Sequence, residues 1–257
     1  MQLNRQQLKA RALSIMSASK PKATHVGLVY LLLMVLVSAL STRLVGINMS
    51  SSDFETYTKY VMDGNLDYAI EFLTRTVEQP SAGSQIINIL MEVCMWVVGA
   101  GFVIFLLNTI RNASPCFGNL LDGFGMLWRV LWLNILEALF IGLWSMLFVI
   151  PGIIAAYRYR LAIYLLIDHP EMSVMDCLRQ SKHLMHGHKW ELFILDFSFI
   201  GWELLGALPF VGYLVQVFTL PYISMTHALY YEQLGGMGLA QGPAGDANTG
   251  YVPPWQP

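Results

Sequence analysis

Residues 127–168 read LWRVLWLNILEALFIGLWSMLFVIPGIIAAYRYRLAIYLLID. As far as Ile150 this is one apolar run in which Arg129, Asn134 and Glu137 are the main polar interruptions. It is long enough to cross a hydrocarbon core of roughly 30 Å, which takes about 20 residues of helix. Pro151-Gly152 is a turn signal inside the stretch, and a second apolar run, 153–168, follows it. The reading is a helix that crosses, reverses at the Pro-Gly pair, and returns. Arg158 and Arg160 make the returning run the weakest of its kind.

Runs of the same kind lie to either side, at 25–46, 85–110, 190–208 and 213–231. Pro209 and Gly212 mark another reversal between the last two. The fold expected is an all-α polytopic membrane helix bundle, six transmembrane helices in three hairpins. Composition agrees. The chain has 257 residues, 55% of them hydrophobic and 12% charged, where a soluble domain carries roughly 25% charge. Its 15 basic and 17 acidic side chains, net −2, are too few to cover a soluble globule of this length. Composition disfavours a soluble enzyme, a disordered tail and a nucleic-acid binder with a basic surface. The expected partner is the lipid bilayer, with no nucleic acid.

Lys and Arg outside the runs set the orientation. Arg5, Lys9, Arg11, Lys20, Lys22, Arg111, Arg129, Arg179, Lys182 and Lys189 fall on one side, against Arg43, Lys59 and Arg75 on the other. This places both termini in the cytoplasm, in agreement with an even number of spans. The first run starts too late and runs too long for a cleaved signal sequence and is expected to stay in the membrane. Cys94, Cys116 and Cys177 show no CxxC spacing and no disulfide framework.

The membrane domain is expected over 1–233, with three pieces outside the bilayer. Residues 4–18 place Leu8, Ala12, Ile15 and Met16 on one helical face. This is either a basic helix on the anionic inner leaflet or a solvated helix packed on the other loops. Residues 50–83 form an acidic helical hairpin on the outer side, turning at Asp63-Gly64 and read as a cap on the bundle. Residues 172–186 form a cytoplasmic interfacial helix. Ser173 and Asp176 have the spacing of a capping box, and Gly187 stops it. His183, His186 and His188 at its end read as a solvated cluster, not a metal site. The tail, 234–257, rich in Gly and Pro, is expected to be disordered.

Six charged residues fall at membrane depth: Glu92, Glu137, Arg158, Arg160, Asp196 and Glu203. Each costs ~2.5–3.5 kcal/mol at a helix centre on insertion scales, so each needs a partner or water. Counting about 1.5 Å per residue from the nearest turn puts Arg158, Glu203 and Glu92 in one layer. Glu137, Asp196 and Arg160 fall in another. The cluster is a candidate binding or conducting site, or a set of interhelical ion pairs. No catalytic, cofactor or metal motif is present: HExxH, G-x-S-x-G and a phosphate loop are all missing. Gly99-Ala-Gly101 reads as close helix packing.

One resemblance adds to this. Ile150-Pro-Gly-Ile-Ile-Ala-Ala-Tyr157-Arg158-Tyr, Asp168-His-Pro170-Glu171-Met-Ser173, Ser181-Lys-His-Leu-Met185, Gly187-His-Lys189-Trp190 and Phe197-Ser-Phe-Ile-Gly201-Trp202 resemble domain-of-unknown-function family 975, six-helix bacterial integral membrane proteins. Arg5-Gln-Gln-Leu-Lys9-Ala-Arg-Ala12 is similar to the family's amino-terminal segment, so the likeness runs to about residue 233. It implies a plasma membrane location in a bacterium and supplies no activity or site residues. The function expected is a non-enzymatic envelope component that assembles with or regulates a membrane-protein partner, or with a second copy of itself. The alternative is a small-molecule or ion transporter using the intramembrane cluster.

Overall fold

The computed structural model describes residues 5–45, 51–76, 82–206, 208 and 211–240. Among them every regular element is a helix: α1 Arg5–Ala18, α2 Ala23–Val45, α3 Ser51–Met62, α4 Leu66–Thr76, α5 Ala82–Ile110, α6 Asn119–Asp122, α7 Leu127–Leu147, α8 Val149–Tyr159, α9 Ala162–Asp168, α10 Val174–Leu184, α11 Lys189–Phe197, α12 Ile200–Gly206 and α13 Val211–Ala240. A 3-10 turn, Gly123–Met126, links α6 to α7. Four stretches are long and apolar enough to cross a membrane: Ala23–Arg43, Ala82–Ile110, Asn119–Leu147 and Val149–Asp168.

The reversal between α7 and α8 falls one turn earlier than Pro151-Gly152. Phe148 alone is extended (φ −160°, ψ 152°), and Pro151 sits inside the first turn of α8. A proline is tolerated there because a first-turn amide has no partner within the helix to lose. Gly152 serves contact instead of turning: a Cβ on it would overlap the Ser145 side chain of α7. The returning run is itself broken at Arg160-Leu161, between α8 and α9. The Ser181 hydroxyl of α10 closes the break, donating to the Arg158 carbonyl at 3.0 Å and accepting from the Leu161 amide at 3.2 Å.

The run at 190–208 is not one helix. The Ser198 hydroxyl donates to the Leu195 carbonyl, and the Phe199 amide turns back to Asp196 at 2.8 Å, which ends α11. Lys9 of α1 sits on this break, with Nζ 3.5 Å from the Ser198 carbonyl and 4.0 Å from the Phe199 ring centroid. Leu8, Ala12 and Met16 are buried, mostly against α13, while Arg5 and Arg11 remain exposed.

The helix expected over 213–231 extends in both directions, and α13 carries on through 234–240, residues assigned above to the tail. Leu234, 2% exposed, anchors that continuation in the core. The remainder of the tail, 241–257, and the turn at Pro209 lie outside the described residues. α13 is the common wall, packing on α1, α2, α5, α10 and α12. Its Pro221 nests against Gly27 of α2. α3 and α4 form a helical hairpin, with Gly64 at φ 74° in its turn and the Tyr60 ring near those of Tyr68 and Phe72. α3 and α4 pack chiefly on each other.

Gly101 fits the close-packing reading, since a Cβ there would overlap the Leu120 carbonyl of α6. Gly123 presses on the Val97 carbonyl in the same way. A Gly101→Val variant is expected to lose about 1–3 kcal/mol through overpacking. Gly99→Ala, where the nearest foreign atom is the Tyr30 hydroxyl at 3.3 Å, should be nearly neutral. Thermal unfolding in detergent checks both, and equal losses would contradict the packing assigned to Gly101.

Candidate functional site

Two polar nodes and one groove gather several of the ionisable groups of the bundle. The first node forms where three chain segments end together. Arg111, just past α5, grips Asp168 at the end of α9 with both guanidinium arms, at 2.8 and 2.7 Å. Its Nε donates to Glu232 of α13 at 2.6 Å. The Tyr231 hydroxyl supplies Asp168 with a further hydrogen bond at 2.8 Å. The Asp168 side chain is 4% exposed, while Arg111 and Glu232 are each 28% exposed. Burial works against the Arg111 charge, but the two carboxylates outweigh it and hold its pKa above the ordinary value. Beside it, Arg129 donates to the Met172 carbonyl at 2.6 Å and ties α7 to the turn before α10.

The second node centres on Asp196 of α11. His227 Nε2 of α13 lies 2.6 Å from Asp196 Oδ1, and the Tyr157 hydroxyl of α8 donates to Oδ2 at 3.0 Å. Of the layer Glu137, Arg160 and Asp196, Asp196 takes its direct contacts from His227 and Tyr157. Arg160 itself is exposed at the α8–α9 break.

The other layer does not come together. Arg158 lies with its guanidinium 5.9 Å from the Trp144 ring centroid, and its buried Nε has no hydrogen-bond partner. Glu203 of α12 lines a groove against α2 and α13, and Glu92 is exposed on α5. α12 packs on α13, and α8 on α7, α10 and α11. Shared depth therefore does not become shared contact.

The N-cap half of the capping box is present, with the Ser173 hydroxyl accepting from the Asp176 amide at 3.2 Å; the Asp176 carboxylate reaches back to that hydroxyl, accepting from it at 2.6 Å. His188 pairs with Glu191 at 3.0 Å. No group of three or more metal-type ligands converges among the described residues.

Sequence reasoning counted Arg111 only as a topological charge, and it passed over Asp168, Tyr157, His227, Tyr231 and Glu232 as partners. Asp168 and Tyr157 stood within the motif blocks quoted above, which was the available signal. Arrangement and composition together define an all-α protein with helices of membrane-spanning type. The comparisons then place its similarity: a model of the family described as "Protein of unknown function (DUF975)" matches residues 146–237. The match runs from the end of α7 into α13 and takes in Arg158, Asp168, Asp196, His227 and Glu232. It does not reach the amino-terminal stretch or Arg111, so the family likeness is narrower than the sequence blocks implied. No curated protein and no solved structure matches the chain.

Arg111→Ala would leave the buried Asp168 carboxylate without its cation, a loss of about 3–5 kcal/mol. Arg111→Lys keeps charge without the two-armed grip and should fall between. Arg111→Met combined with Asp168→Asn removes both charges and is expected to recover at least half of the loss. Unfolding in detergent reads all three. Wild-type stability in the alanine variant would remove the node from the account of the fold.

Proposed function

We propose that this chain is a multi-pass plasma membrane protein of six spans, with both termini cytoplasmic, that serves as a non-enzymatic envelope component assembling with another membrane protein. The orientation rests on the one-sided placement of Lys and Arg. α11 and α12 together supply about 24 Å of helix at ~1.5 Å per residue, most of a hydrocarbon core roughly 30 Å thick, and α13 supplies more. These add two crossings to the four long apolar stretches.

The observation that carries the functional reading is the closure of the polar nodes. Arg111 is bonded to both Asp168 and Glu232, and Asp196 is bonded to His227 and Tyr157. These groups hold helices in register, which is a structural use of charge. α7 in turn offers an apolar face for a partner helix, with Trp128, Trp132, Ile135 and Leu139 all exposed along it.

A transporter is the second reading, favoured by the buried, unpartnered Nε of Arg158, because an unsatisfied polar group in a bundle is costly unless a ligand or water meets it. Two experiments separate the readings. Crosslinking in native membranes from cysteines placed at Trp128 and Ile135 should trap a product of defined mass under the partner reading. Monomer alone would count against it. Arg158→Ala, reconstituted in vesicles, should leave passive solute and proton flux at the wild-type level. A change in flux with insertion intact would favour the transporter.

A further inference from the structure

The side groove has a polar mouth and an apolar floor, and neither node uses it. It has a volume of about 790 Å³ and lies between α2 and α13, with α12 at one end. α2 and α13 run antiparallel along it. Leu31, Met34, Leu220 and Ile223 give the groove its apolar wall, whereas Arg43, Glu203, Tyr213 and Gln216 line it with polar groups. From Leu31 to Arg43 the groove extends about 18 Å at ~1.5 Å per residue. That is slightly more than one leaflet of a hydrocarbon core roughly 30 Å thick.

Depth fixes what can lie there. Arg43 stands in the last turn of α2, about 30 Å of helix from Ala23 at ~1.5 Å per residue, so its guanidinium stands at the boundary of a hydrocarbon core roughly 30 Å thick, and the groove descends from it. The charges at the mouth are opposite, and they make no ion pair with each other, though both line the same space. A guanidinium matches a phosphate through parallel hydrogen bonds, and a carboxylate facing the same space matches an amine. From this geometry we propose that the groove binds one phospholipid whose headgroup carries both a phosphate and a primary amine, with the phosphate on Arg43, the ammonium on Glu203, and an acyl chain against Leu31, Met34 and Leu220.

Native mass spectrometry of the full chain in detergent tests this, with dioleoyl phosphatidylethanolamine and dioleoyl phosphatidylglycerol supplied in equal amounts. Wild type should retain the ethanolamine lipid in preference. Arg43→Gln should lower its retention about tenfold, the loss for one charge-assisted hydrogen bond, and Arg43→Lys should lower it less. Glu203→Gln should abolish the preference while glycerol-lipid retention persists. Ala39→Trp, which fills the groove without touching either charge, should reduce retention of both lipids. Thermal unfolding of each variant separates loss of binding from loss of fold. Equal retention of both lipids by wild type would overturn the proposal. So would undiminished retention in a folded Arg43→Gln variant, or displacement of the lipid by free phosphoethanolamine at millimolar concentration.

Discussion

The two-armed grip of Arg111 on Asp168 is the contact on which the arrangement of the helices depends. It joins the end of α5 to the end of α9, and its Nε draws in α13 through Glu232. Apolar helices in lipid gain little from meeting one another, because lipid tails are as apolar as their side chains. Geometry must then come from small-residue contacts and from polar groups that have no good alternative partner. Arg111 supplies the second kind, and Gly101, Gly123 and Gly152 supply the first. Burial of Asp168 makes the contact specific: a carboxylate in that position costs free energy in every arrangement except the one that brings its cation and the Tyr231 hydroxyl to it.

The same logic operates a turn earlier in α13, where His227 meets Asp196, which also accepts from Tyr157. α13 thus presents successive polar side chains to α11, then to α9 and the end of α5. Its apolar residues meanwhile seat α1, which reaches over the α11–α12 break through Lys9. The break leaves the Ser198 carbonyl outside a regular helical ladder, and a cation from a distant helix meets it.

How much of this could be read from sequence follows from the range of each signal. Apolar runs report helices, and α2, α5 and α7 fall near their expected limits. The turn at Asp63-Gly64, the Ser173 cap and the stop at Gly187 are local, and each formed where expected. Pro151-Gly152 misled because both residues have a second use, proline inside a first helical turn and glycine at a close contact. The α11–α12 break escaped because Ser198 and Phe199 are polar and apolar in an ordinary way; the hydroxyl and Lys9 act only once folded. Depth counting places Glu137, Arg160 and Asp196 in one layer and Arg158, Glu203 and Glu92 in another, since rise per residue is fixed. It says nothing about which helices adjoin, and the direct partners of Asp196 are His227 and Tyr157. Arg111, Asp168 and Glu232 were invisible as a unit: each sits at a helix end or beyond the run it follows, and only the packing of three segments makes them adjacent.

One consequence concerns the order in which the chain is made. Both polar nodes draw a partner from the second half of α13, the last described helix. Arg111, Asp168 and Asp196 are all synthesised before the residues that complete their hydrogen bonding. Until residues 227–232 have emerged, the earlier helices hold carboxylates and a guanidinium that are only partly satisfied, and the side groove lacks one wall. Arrival of α13 therefore acts as the closing step of assembly, and a chain truncated ahead of it would carry its most costly charges into the bilayer without their full set of partners.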